Sequence, residues 1–236
     1  MTEPRPDPLA WLTSLEGVPS AFASTRDGID VMLRDRGLRK TTPAQTAESL
    51  LRGAHASAVL EGSGSSLEDV RAGGGDEIAG AAVRVSTELL SLVPVMGRTP
   101  LQAFARLHSL TGGPTPGQPR SAEAAERLQS LTKALLATSS PGLIVAALVH
   151  AELASVAPFA SHNGIVARAA ERLVMVARSV DPASLVVPEA GHLALRPEYE
   201  SNLRGYRDGG DRGLHSWLLY AAEAQTKGAE ASPLRR

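Results

Sequence analysis

The stretch VAPFASHNGIVAR, residues 156–168, sets a Pro-Phe pair, a polar bend and Asn163-Gly164 directly before a helical pattern that carries Arg168. Those residue types at that spacing could hold an anion. A helix N-terminus offers unpaired backbone N–H groups and a partial positive charge, the ingredients of a phosphate site. Gly164 would let a phosphate approach the backbone, the Asn163 amide could donate a hydrogen bond, and Arg168 could reach outer phosphate oxygens. The same residues have a plainer reading as a helix-helix corner. Asn-Gly is a common turn signal, and an arginine on a polar helix face is ordinarily solvated.

Proton-transfer groups are sparse around this bend. His162 could face the site as a general base, or be a polar loop residue. His150 falls inside a very apolar helix, where a neutral, hydrogen-bonded core histidine accounts for it. The histidines show no His-Glu-x-x-His or other paired spacing, and His55, His108, His192 and His215 are scattered, so no metal site is expected unless a fold gathers them. GSGSS, residues 62–66, lacks the Gly-Lys-Ser/Thr continuation of a phosphate loop, and its serines are explained by helix capping.

The elements that must position these residues read as helices. Thr42-Pro43, Thr99-Pro100 and Ser140-Pro141 each set a capping hydroxyl before a proline suited to the first helical position. The pattern predicts a helix from Pro43 to the turn at Gly62-Ser63-Gly64, a short helix capped by Ser65 with Glu68, and a helix from Glu77 to Val93 halted by Pro94. Further helices are expected over 100–110, 122–137, the apolar run from Pro141, the segment after Gly164 until Asp181-Pro182, and about 197–208 and 212–226. In the helix after Gly164, Val166, Ala169, Ala170, Leu173, Ala177 and Val180 form the apolar stripe, with Arg168, Glu171 and Arg172 opposite. LVVPEAGHLAL reads as a short extended segment.

At 236 residues and 43% hydrophobic content the chain can build a sizeable core, and 3% aromatic residues favour close helix packing over a sheet. With 24 basic and 25 acidic residues the formal charge is −1, which gives no general attraction to nucleic acid or an anionic membrane. The absence of cysteine rules out disulfides, thiolate metal sites and a cysteine nucleophile, and fits a reducing cytoplasm. No apolar stretch reads as membrane-spanning and the N-terminus does not read as a signal peptide. One all-α domain is expected over 40–226, with an N-terminal helical extension over 1–39 and a disordered tail over 227–236.

Several segments, in order along the chain, resemble the Fic (Fido) family, whose usual signature is His-x-Phe-x-(Asp/Glu)-Gly-Asn-Gly-Arg-x-x-Arg. Pro158, Phe159, Asn163, Gly164 and Arg168 fall in register with it. Ser57, Glu61 and Gly62 are similar to the family's inhibitory pattern, PLQAFARLHSL and Pro116–Arg120 to the segments upstream of the signature, VHAEL to its entry helix, and EYESNLRGYRDG with WLLYAAEA to the closing helices. The resemblance covers roughly residues 40–225.

It implies a machine for moving the AMP part of ATP to a protein hydroxyl, in which Asn163, Gly164 and Arg168 would bind phosphate and Glu61 would reach Arg168 and block the outer phosphate position. The reactive parts are replaced. Ala157 stands at the base position, Ser161 at the Mg²⁺ carboxylate, His162 at the first glycine and Ile165 at the first arginine. Residues 121–138 read as helix where the family has a β-hairpin flap. The expectation is therefore a Fic-like pseudoenzyme with no assured catalytic residue beyond the candidate His162, no metal, and ATP or another nucleotide as the ligand left open. It would act by binding an unidentified protein partner or a nucleotide, with a homodimer through the N-terminal helices also open. The alternative is a divergent nucleotidyl- or phospho-transferase that uses the Asn-Gly turn and Arg168.

Overall fold

The computed structural model of the chain describes residues 6–36 and 41–234, and every regular element among them is helical. A 3-10 turn, Ala10–Ser14, leads into α1 (Val18–Arg36). Then come α2 (Pro43–Leu60), α3 (Leu67–Arg71) and α4 (Glu77–Glu88); a second 3-10 turn, Leu89–Leu92, joins α4 to α5 (Val93–Met96). α6 (Pro100–Leu110), α7 (Ala122–Ala137), α8 (Gly142–Val156) and α9 (Asn163–Ala177) carry the chain through the centre. α10 (Pro188–Ala194), α11 (Arg196–Asp208) and α12 (Gly210–Glu230) close it. The β-hairpin flap is absent among the described residues, because α7 occupies its place with Ser121 accepting from Ala124 N as its cap.

The paired α8 and α9 form the axis. α8 is apolar on every side and buried without interruption from Leu143 to Ala151, and Trp217 Nε1 of α12 donates to Ala147 O at 2.9 Å. α9 departs from the expected two-faced helix: Arg168, Glu171 and Arg172 are as buried as its apolar stripe. Packing of α2, α6, α8 and α10 around α9 leaves no solvent face, so each charge is paired to a neighbouring element. α1 lies along α12, with Thr25 Oγ1 donating to Ala222 O at 2.9 Å.

Several local expectations are corrected. The hydroxyl-proline start caps only at Thr42, which forms a capping box with Gln45. Thr99 instead turns its hydroxyl to Gln102 Oε1 and to the carbonyl of Val95, which also accepts from Thr99 N, and Pro141, not Ser140, flanks α8. The cap of α3 is Ser66 with Asp69, because Ser65 Oγ accepts from Asp76 N. Pro94 does not halt α4; the 3-10 turn at Leu89 breaks the helix first and Pro94 sits in the opening turn of α5, where a missing N–H costs little. α9 ends at Ala177, short of Asp181-Pro182. In LVVPEAGHLAL the first three residues form no regular element, and Pro188 opens α10. α12 runs past 226 to Glu230, and Ser232 and Leu234 are buried, so the expected tail from 227 is packed as far as the description goes. The expected boundary at 39–40 lies outside the described residues.

Residues 77–96 are, by length and composition, apolar enough to cross a membrane, contrary to expectation. In the fold they are divided among α4, the 3-10 turn and α5, and bury Ala79, Ala82, Val85, Leu89 and Met96 against neighbouring helices.

Candidate functional site

The bend between α8 and α9 is bracketed by two left-handed residues. Ala157, at φ +45°, ends α8, and His162, at φ +55°, is the residue flanking the start of α9. Such a conformation costs a residue with a Cβ about 1–2 kcal/mol, so the bend is held from outside. Asn163 does much of that holding: its Oδ1 accepts from Phe159 N and its Nδ2 donates to Phe159 O, each at 2.9 Å. The amide expected to meet a ligand is thus committed to the loop. Behind it, Phe159 stacks on His108 with ring centroids 4.3 Å apart, and His108 Nδ1 accepts from Gly117 N. Burial depresses the His108 pKa, with His162 adding to the effect. Arg120 donates from its backbone to Pro158 O and from Nη2 to Val156 O. The segments 100–110 and 116–120 therefore converge on the back of the bend.

The front is closed by the protein's own carboxylate. A Cβ built on Gly164 would stand 1.9 Å from Glu61 Oε1, so the oxygen sits directly over the glycine and a larger residue there would displace the Glu61 side chain. The same oxygen accepts from Arg168 Nη2 at 2.8 Å. Arg168, 1% exposed, also donates from Nε to Ser57 Oγ, from Nη2 to Ser57 O and from Nη1 to Tyr199 OH. Burial alone would lower its pKa, but Tyr199 and Glu61 carry it above the ordinary value. The expected pair of Glu61 with Arg168 is formed, with Ser57 completing it; Gly62, at φ +98°, turns the chain away just after Glu61. A carboxylate seated between a helix N-terminus and a guanidinium marks a place with the geometry and charge for an anion.

Around that place the residues are chemically quiet. Ala157 has no ionisable group, and Ile165 is buried in the core, 2% exposed. Ser161 Oγ lies 2.9 Å from His162 Nδ1, both half-buried and packed beside Gly113. A neutral hydroxyl is a poor ligand for Mg²⁺, which favours anionic oxygen. Pockets of about 610, 510 and 450 Å³ open elsewhere on the surface, and none of these three is lined by Glu61, Gly164 or Arg168.

The fold gathers a second set of polar groups that sequence spacing does not reveal. Fully buried Glu171 accepts through Oε2 from His150 Nδ1 at 2.6 Å and His192 Nε2 at 2.8 Å, and through Oε1 from Gln225 Nε2 at 2.9 Å. His150 Nε2 meets Tyr199 OH at 3.0 Å, which links this cluster to Arg168. Burial would raise the Glu171 pKa, but His192 and His150 hold it well below the carboxylate range. Burial, then His192, pushes His150 down to about 4. Two imidazoles and a carboxylate are zinc-type ligands, but zinc bonds of about 2.0–2.2 Å would hold the ligand atoms roughly 3.3 Å apart in a tetrahedral site. The shorter separations here are those of hydrogen bonds. The readable clue was a histidine inside an apolar helix, which requires a buried partner.

No family model and no curated protein matches the sequence. Solved structures do. The chain is similar to a Fic family protein from Desulfovibrio desulfuricans G20, with TM-score 0.72 and 18% identity over 89% of this chain and 73% of that one. It is also similar to a Fic-1 fragment from C. elegans, with TM-score 0.71 and 19% identity over 90% of this chain and 71% of that one. At such identities the likeness establishes the Fic-like fold, and the chemistry has to be argued from the residues.

Proposed function

We propose that this chain is a Fic-fold pseudoenzyme: it keeps an anion site suited to a nucleotide phosphate, does not transfer AMP, and acts by binding that ligand or a protein partner. The observation that carries this reading is Glu61 Oε1 filling the space above Gly164 while paired to Arg168. An anion site held by an internal carboxylate can exchange it for phosphate, whose three oxygens suit the same guanidinium. Chemistry after binding is another matter. The lack of a positioned general base at Ala157 costs a factor of about 10²–10⁴ in rate. With a hydroxyl at 161 and an alkyl chain at 165, the charge stabilisation on which phosphoryl-type transfer depends is also missing.

The test is ATP binding by calorimetry to the parent and to Glu61→Gly. Tighter binding by the variant is expected, and identical isotherms would reject the reading. The close approach of Ser161 Oγ and His162 Nδ1 favours one second reading, a divergent nucleotidyl- or phospho-transferase with His162 as the base. Label transfer from radioactive ATP that disappears in His162→Ala would select it. The partner is a protein yet to be identified, and a cytoplasmic setting suits a chain without cysteine.

A further inference from the structure

Glu61 can cover Gly164 only while the last turn of α2 stays wound, since it is the residue that caps that helix. Helix ends fray unless something ties them. The tie here lies across a loop. Ser63 N closes the turn on Ala58 O at 3.0 Å, and Ser63 Oγ donates to Asp76 Oδ2 at 2.7 Å. The same Asp76 oxygen accepts from Gly64 N at 3.2 Å, and Asp76 N donates to Ser65 Oγ at 2.9 Å. The other carboxylate oxygen, Oδ1, accepts from Ala79 N at 2.8 Å and so caps α4. One side chain therefore fastens the loop after Glu61 to the start of α4.

We propose that Asp76 is a positioning residue that pins the end of α2 and so keeps the Glu61 carboxylate over Gly164. The inference rests on reading Glu61 as the group that excludes a nucleotide phosphate. Asp76 does not touch the site; it acts through Ser63 and Gly64 on Glu61, two positions before the first of them. Loosening the clamp raises the fraction of molecules in which the site is open, and apparent ligand affinity rises in proportion to that fraction.

Asp76→Asn separates this role from capping. Asparagine caps a helix about as well as aspartate, but its NH₂ group faces the Gly64 N–H where an acceptor is needed. Ser63→Ala removes the shortest bond of the clamp from the other side and leaves the cap of α4 in place. ATP calorimetry on the full chain, with hydrogen exchange over residues 57–66, gives the result. Asp76→Asn and Ser63→Ala are each expected to bind ATP about three- to tenfold more tightly than the parent, with faster exchange at 58–64. Adding Asp76→Asn to Glu61→Gly is expected to give no further gain, whereas a purely structural role would lower Tm in both backgrounds and leave affinity alone. Parent-like affinity beside a Glu61→Gly variant that does bind ATP overturns the inference, whatever the exchange shows. Should Glu61→Gly not bind ATP, the reading of the site fails, and exchange alone decides the clamp: faster over 58–64 supports it, unchanged rejects it.

Discussion

Arg168 is the side chain that ties the start of α9 to its neighbours. It is buried, donates to Ser57, Glu61 and Tyr199, and is the only link in this set between α2 and α11. Removing one member of a buried charge pair leaves its partners unpaired, so Arg168→Met is expected to cost about 3 kcal/mol in urea denaturation; a loss near zero would show that the pair is ornamental. His150 makes a different prediction. Its pKa is about 4 in the fold against an ordinary 6.5, so between those values the unfolded chain takes up a proton that the folded chain refuses. Stability is full above pH 6.5 and falls as the pH drops toward 4, by about 3 kcal/mol at most. Glu171, held below its ordinary 4.5, adds a further loss below that pH. Denaturation at stepped pH checks the slope, and a flat profile through this window would contradict the neutral buried imidazole. Glu61 with Arg168 was legible because both sit in motif-like positions; the His150, Glu171 and His192 cluster was not, because its members come from three helices.

At the scale of elements, α9 collects the charges and the glycines set how close its neighbours come. A Cβ on Gly191 would stand 1.9 Å from Ala224 O, so α10 and α12 touch backbone to backbone. Gly191→Ala must push them apart, and a loss of about 1–3 kcal/mol is expected; an unchanged midpoint in thermal denaturation would show that the contact is loose. α6 and α7 match their expected bounds; Pro100 opens α6 as its position predicted, and in the fold Ser121 caps α7. Where the reading slipped, a local signal had a competitor: Ser65 was claimed by Asp76, Thr99 by Val95, and the polar stripe of α9 by the helices packed over it. Periodicity cannot tell a solvent face from a face that meets buried partners.

For the whole molecule, the residues expected as an N-terminal extension take part in the core. Val18, Phe22, Ile29, Met32 and Leu33 of α1 are buried, and each such side chain contributes about 1.5–3 kcal/mol when withdrawn from water. Deleting residues 1–39 is expected to abolish the cooperative thermal transition, while a sharp transition near that of the parent would make them a separate appendage. The all-helical architecture was readable from capping and periodicity, and its likeness to Fic structures followed from the order of short segments. The expected reach of Glu61 to Arg168 is present in the fold, and the oxygen that makes it also fills the space over Gly164. The most direct measurement is transfer of label from [α-³²P]ATP with Mg²⁺ by the Glu61→Gly protein, run beside its ATP binding. The account predicts that ATP binds and no label becomes attached to protein; label incorporation that Arg168→Ala abolishes would contradict it.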